Sequence, residues 1–293
     1  MKFLSLIAAV GAAVQITAAS PGSGSLWILT TSDGAALPAG RSVEGFPLLV
    51  RLNGDSFRFA DALPDGADLR FTSVDGTALA HQIEEWDPAS QRAAVWVRIP
   101  VIRGDDQQEI RIHWGTASTA PPATGPVFDA SNGYAAVWHL GATPRDEVSG
   151  ATAKDSGTTA TRGIIGSARR FDGEHGIAGG NQPTNFPSGS APHSTEAWIR
   201  PLRANANIVG WGAEKAQSKV VLLFRSPPHI VVDAYFSDAS VDGKTRIPTG
   251  EWNHVLQTYE KGIPRIYVNG RLDIGSPVRA TPLNIPSPAR LWI

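Results

Sequence analysis

The sequence predicts an all-β protein made of two antiparallel β-sandwich domains in tandem. Three observations predict it. Short apolar runs alternate with period two and recur about every ten residues, separated by turn signals. Thirty Gly and 22 Pro in 293 residues supply those turns. No stretch holds the 3.6-residue period of an amphipathic helix. With 42% hydrophobic and 18% charged residues, the chain has enough apolar material for a sizeable core. The formal charge of −1 lacks the basic excess that phosphate-held nucleic-acid binding requires, so no nucleic-acid partner is expected. Zero Cys excludes disulfides, thiolate zinc sites, iron–sulfur clusters and Cys nucleophiles.

Residues 1–20 read as a secretory signal peptide. Lys2 opens it, an apolar stretch of about a dozen residues follows from Phe3 to Val14, and small residues run from Thr17 to Ser20. The apolar stretch is shorter than the roughly 20 residues of a membrane span, and no later run is apolar enough to cross. The mature chain is therefore expected without a transmembrane segment, in the periplasm, at the cell surface or outside the cell. The first domain is placed at 25–118. Its strands are read at Phe46–Leu52, Asp68–Thr72, His81–Trp86, Ala94–Pro100 and Gln108–Trp114. In the last of these, Ile110, Ile112 and Trp114 should face the core, and Glu109, Arg111 and His113 should face water. Gly115 to Pro126 is rich in Pro, Gly, Thr and Ala, and a linker is placed at 119–127.

The second domain is placed at 128–293. Its strands are read at Tyr134–Leu140, Ser167–Asp172, Ser194–Pro201, Lys219–Arg225, Ile230–Phe236, His254–Tyr259 and Arg265–Asn269. Asn269-Gly270 and Lys261-Gly262 lie between apolar strands as hairpin turns. The chain stops inside an apolar strand, Ala289 to Ile293, which predicts a C-terminally truncated domain with one strand missing and a bare sheet edge.

The second half resembles the laminin-G-like, concanavalin A-type jelly roll. Trp138-His139-Leu140, Phe171-Asp172-Gly173 and Glu196-Ala197-Trp198-Ile199 match it, and Trp252-Asn253-His254-Val255 followed by Tyr267-Val268-Asn269-Gly270 is the most specific signature. The first half resembles the bacterial domain of unknown function 2341, through Phe46–Leu52, Gly66–Phe71, Ile83–Trp86, Ala94–Pro100 and Ile112–Gly115. The resemblance implies an envelope or secreted setting. The leading expectation is a non-catalytic recognition module for glycan or another cell-envelope component. One alternative is the extracytoplasmic head of a TolQ/ExbB-type envelope transport protein with its channel beyond Ile293. Another is a set of accessory domains from a secreted polysaccharide-degrading enzyme. The resemblance also raises a structural calcium as the one cofactor with support. Asp146, in the loop Arg145–Gly150, and Asp172, at the turn after Phe171, are the candidate ligands.

The residues themselves offer little reactive chemistry. Glycoside hydrolysis needs two positioned carboxylates, but no E-x-D-x-x-E run occurs. Glu84 and Glu85 are adjacent and point to opposite faces of a strand, Asp105-Asp106 reads as a turn, and Glu109 and Arg111 read as a surface ion pair. The seven His are scattered without metal spacing, and no G-x-S-x-G elbow is present. Of the nine Trp, Trp96, Trp114, Trp138 and Trp198 are expected in the core, and Trp252 is expected to be structural. Trp211, between Gly210 and Gly212, is the leading candidate for stacking on a sugar ring. Trp86, beside Glu84, Glu85 and Asp87, is the second.

Overall fold

The computed structural model describes residues 18–20, 22–115, 122–181, 186–235, 237–275 and 278–293. The export segment read over 1–20 lies outside the described residues apart from Ala18–Ser20, as do linker residues 119–121. No helix among the described residues is long and apolar enough to cross a membrane. The chain divides into two compact units, one closing at Tyr134 and the other running from Ala135 to Ile293.

Among the described residues the first unit holds seven strands: β1 (Ala18–Ser20), β2 (Ser23–Leu29), β3 (Ser42–Asn53), β4 (Arg70–Ser73), β5 (His81–Asp87), β6 (Arg92–Arg103) and β7 (Gln107–His113). They form two antiparallel sheets, β1-β2-β7-β4 and β3-β6-β5. Strand alternation drives the packing. Ile110, Ile112 and Trp114 are buried, and Arg111 pairs with Glu109 at 3.5 Å on the opposite face, as the alternation predicts. Segment 126–134, which the sequence divides between linker and second domain, instead packs on this unit. Phe128 meets Trp96 edge to face at 5.5 Å, and Arg98 pairs with Asp129 at 2.7 Å. Asn132 donates to the Gly45 carbonyl at 2.8 Å.

Among the described residues the second unit holds thirteen strands: β8 (Lys154–Asp155), β9 (Thr159–Arg162), β10 (Ser167–Arg170), β11 (Ile177–Asn181), β12 (His193–Ile199), β13 (Ala206–Gly212), β14 (Lys219–Arg225), β15 (His229–Asp233), β16 (Val241–Asp242), β17 (Asn253–Glu260), β18 (Ile263–Val268), β19 (Arg271–Leu272) and β20 (Arg290–Trp292). A seven-stranded sheet, β16-β15-β14-β13-β20-β11-β8, faces a four-stranded sheet, β12-β17-β18-β19, and β9 and β10 form a separate hairpin. The core between the large sheets takes Val220, Leu222, Phe224, Ile230 and Val232 from one side and Val255, Tyr259, Ile266 and Val268 from the other.

Three expectations change here. Tyr134 to Leu140 is not a strand; only Trp138 makes an isolated bridge, to Asp146. The C-terminal apolar run, expected to leave a bare edge, lies as β20 inside the seven-stranded sheet and pairs with both β13 and β11. Trp198 is not core: it is 41% exposed on the outer face of β12. The hairpin signals hold, since Lys261-Gly262 and Asn269-Gly270 both take paired positive φ. The Trp-Asn-His-Val and Tyr-Val-Asn-Gly signatures also gain a physical reason. Asn269 donates to the Asn253 side chain at 3.0 Å and accepts from the His254 backbone N–H at 2.9 Å, locking β17 to the turn after β18.

Candidate functional site

The residues singled out from the sequence do not converge. Trp211 is a correction. Its ring is 2% exposed and packs into the inter-sheet core, edge-on to Phe186 at 5.1 Å and to His193 at 4.8 Å. Its Nε1 donates to Thr195 Oγ1 at 3.3 Å. The flanking glycines do not bare this ring, because alternation sends them to the other face of the sheet. Trp86 is likewise packed, against Phe59 at 5.1 Å and Phe57 at 5.9 Å. Gly66 seals another side, where an added Cβ would sit 2.8 Å from Trp86 Cδ2. Trp211 offers no free face to a sugar, and Trp86 is half-buried among Phe57, Phe59 and Gly66.

The calcium reading is corrected as well. Asp146 is 0% exposed, and its carboxylate accepts the backbone N–H groups of Val137 at 2.8 Å, Val148 at 3.1 Å and Ser149 at 3.2 Å, plus the Ser149 hydroxyl. Asp172 accepts from the Glu174 and His175 N–H groups at 2.8 and 2.9 Å and pairs with His175 Nδ1 at 2.6 Å. The Glu174 N–H first, then His175, hold the Asp172 carboxyl well below the usual carboxylate range. Donors aimed at a carboxylate occupy the lone pairs a cation would need. Among the described residues, no group of three or more acidic or His side chains is placed to hold a metal.

The structure builds a different site, on the outer face of the seven-stranded sheet. Register puts Asp242, Val231, Leu223 and Asn207 in one cross-strand row, and Asp233, Val221, Gly210 and Trp292 in the next. Val221, Leu223 and Val231 form a small apolar floor with Trp292 packed against it. Trp292 lies on bare backbone, since a Cβ at Gly210 would stand 2.5 Å from its Cε2. The space the Gly-Trp-Gly run creates therefore exists, but it holds Trp292 rather than exposing Trp211.

Lys219 rests between two rings on this face, its Nζ 5.1 Å from the Tyr235 centroid and 5.5 Å from that of Trp292. It also pairs with Glu214 at 3.5 Å. Arg225 reaches Asp233 at 3.7 Å, so its stem passes over the Leu223–Val231 row between them. His229 stands 3.7 Å from Asp242. Lys219 and Arg225 thus each have a carboxylate beside them. At the β13 end, Asn205, Asn207, Leu223, Arg225 and Ser226 line a depression of about 420 Å³. Asn205 accepts the Ser226 N–H at 3.1 Å and shapes that rim, while Asn207 is exposed. The sum is a buried apolar row, Val221, Leu223 and Val231, bordered at the surface by amide and guanidinium donors and carboxylate acceptors. Sequence reading missed it because β14, Lys219–Arg225, is a continuous apolar run between two charges. Such a run signals a strand covered on both faces, and that was the available clue.

Comparison with known proteins finds two matched segments. Residues 65–141 match the family model of a domain of unknown function, DUF2341. Residues 172–293 match the model of the concanavalin A-like lectin/glucanases superfamily. The chain thus carries a DUF2341 segment followed by a concanavalin A-like one, and the second unit is a concanavalin A-like β-sandwich. No curated protein matches the chain. Among solved structures, it is similar to domain 4 of AbnA, a GH43 extracellular arabinanase from Geobacillus stearothermophilus in complex with arabinotriose. Identity there is 21% and the TM-score 0.38, over 47% of this chain and 66% of that one. The carbohydrate binding module CBM66 from Bacillus subtilis matches at 18% identity and TM-score 0.28, over 48% of this chain and 86% of that one. Mouse laminin alpha1 chain domains LG4-5 match at 10% identity and TM-score 0.28, over 88% and 78%.

Proposed function

We propose that this protein is a non-catalytic glycan-recognition module that acts outside the cytoplasm and binds uncharged polysaccharide on the outer face of the seven-stranded sheet. The observation that carries the reading is the β13–β15 face. Its depression is lined by Asn205, Asn207 and Arg225 and lies over the apolar Leu223. Sugars present a rim of hydroxyls, and this surface offers amide and guanidinium donors and carboxylate acceptors set over a buried apolar row. Arg225 beside Asp233 and Lys219 beside Glu214 neutralise one another. A face so balanced exerts no field that would draw an acidic chain. The reading of residues 1–20 as an export signal supports a location where such polysaccharides occur.

The test is affinity electrophoresis of the mature protein in gels containing arabinan, arabinoxylan, β-glucan, polygalacturonate or alginate. Retention by at least one neutral polymer, weakened about tenfold by Asn207→Ala with Arg225→Ala, is the expected result; losing one or two polar contacts is worth that much. Retention by the acidic polymers alone, or by none, rejects the reading.

A further inference from the structure

The opposite outer face of the same sandwich carries a second feature that neither the core nor the first site uses. On the four-stranded sheet, register places Trp198 beside His254, and Glu196, Leu256, Tyr267 and Leu272 in the adjoining row across all four strands. Trp198 is 41% exposed, although Trp is highly buried on average. Its ring sits 5.2 Å from the His254 ring with the planes tilted by 58°, so the imidazole props the indole at an angle. His254 is itself buried and meets Glu196 Oε2 through Nε2 at 3.3 Å. The result is an indole held at a set tilt, with a carboxylate one row away that can accept from hydroxyls.

We infer that Trp198 and Glu196 form a second saccharide platform, and that the module is a two-faced cross-linker of neutral polysaccharide chains. The inference rests on the glycan reading above. A saccharide fits this face better than a protein does. Its exposed large apolar residues, Trp198 on β12 and Leu272 on β19, stand on opposite edge strands of the sheet, so they do not make the contiguous apolar patch of a protein interface. Glu196 already meets His254 Nε2 at 3.3 Å, and its other oxygen is left for a sugar hydroxyl. The geometry then dictates the consequence. The two platforms point away from each other across two packed sheets about 10 Å apart, so one straight chain cannot lie on both. Two chains can.

The experiment uses the mature protein with soluble arabinan, arabinoxylan and β-glucan, and reads both gel retention and chain cross-linking by light scattering. Wild type is expected to be retained and to enlarge the scattering particles as protein is added, then to lose that effect when protein is in excess and each chain end is capped. Trp198→Ala is expected to abolish the enlargement while keeping retention within about tenfold of wild type, since a single aromatic contact is lost. Trp198→Phe should restore part of it. Asn207→Ala with Arg225→Ala should also abolish cross-linking. If Trp198→Ala fails to fold, Glu196→Gln, which leaves the packing intact, carries the same comparison. Wild type that is retained but never cross-links, or a Trp198→Ala protein that cross-links like wild type, overturns the inference and leaves the first site standing. Wild type retained on none of the gels overturns the glycan reading itself.

Discussion

Acidification should destabilise the second unit through His193, and the size of the effect follows from its surroundings. His193 begins β12 and points between the sheets, stacked on Tyr259 at 5.2 Å and edge-on to Trp211 at 4.8 Å. Its Nδ1 lies 2.9 Å from the Ala191 carbonyl, and Nε2 is buried without a partner. Burial disfavours the charged imidazolium and pushes the pKa down to about 4 from 6.5, against the smaller opposing pull of the Ala191 carbonyl. The folded state thus keeps this group neutral where the unfolded chain would take up a proton. The stabilisation is complete above pH 6.5 and drains away as pH falls toward 4. A displacement of that size corresponds to roughly 3 kcal/mol, a large part of a typical 5–15 kcal/mol stability. The assay is urea unfolding at pH 7, 5.5 and 4, comparing wild type with His193→Phe, which keeps a ring against Tyr259 but cannot titrate. Carboxylates such as Asp129 and Asp172 titrate in both proteins, so the difference isolates His193. Wild type should lose about 3 kcal/mol more than the variant between pH 7 and 4. Parallel losses in the two proteins would refute the reasoning.

Other substitutions separate packing from surface. Trp211→Ala should cost about 3–5 kcal/mol by opening a core cavity, whereas Trp198→Ala should cost under about 1 kcal/mol, as a surface change does; thermal melts of the two variants decide it. Gly210→Val should expel Trp292 from its seat on β13, lowering the melting temperature and shifting tryptophan emission to the red. Asp146→Ala should cost about 2–4 kcal/mol in chemical denaturation, because the Val137, Val148 and Ser149 N–H groups lose their buried acceptor. Calcium and chelator should leave the wild-type melting temperature unchanged, and a rise with calcium would restore the metal reading.

The fold was legible because period-two alternation is a local consequence of strand geometry. β14 matches its sequence reading residue for residue, Lys219–Arg225, and two Gly-containing hairpin turns take the backbone their residues demand. The site was far less legible. Alternation tells which residues share a face but not which face is covered. Trp198 and Trp211 both sit in strands among apolar neighbours, yet one is exposed and the other buried. What decides between them is the partner strand and the opposing sheet, contacts that join β12 to β17 and β13 to β20. The same non-local pairing hid Trp292, which finds Gly210 only because the last strand inserts between β13 and β11. Asp146 and Asp172 misled for a related reason: a loop Asp that binds calcium and one that gathers N–H donors look alike until the direction of the donors is known.

The central claim, that β13–β15 present the glycan-binding face, is tested most directly by hydrogen–deuterium exchange of the mature protein with and without the neutral polysaccharide that retains it. Slowed exchange should be found in segments 205–212, 219–226 and 229–235, and the first unit should be unchanged. Protection confined to the first unit, with those three segments exchanging as in the free protein, would contradict the account.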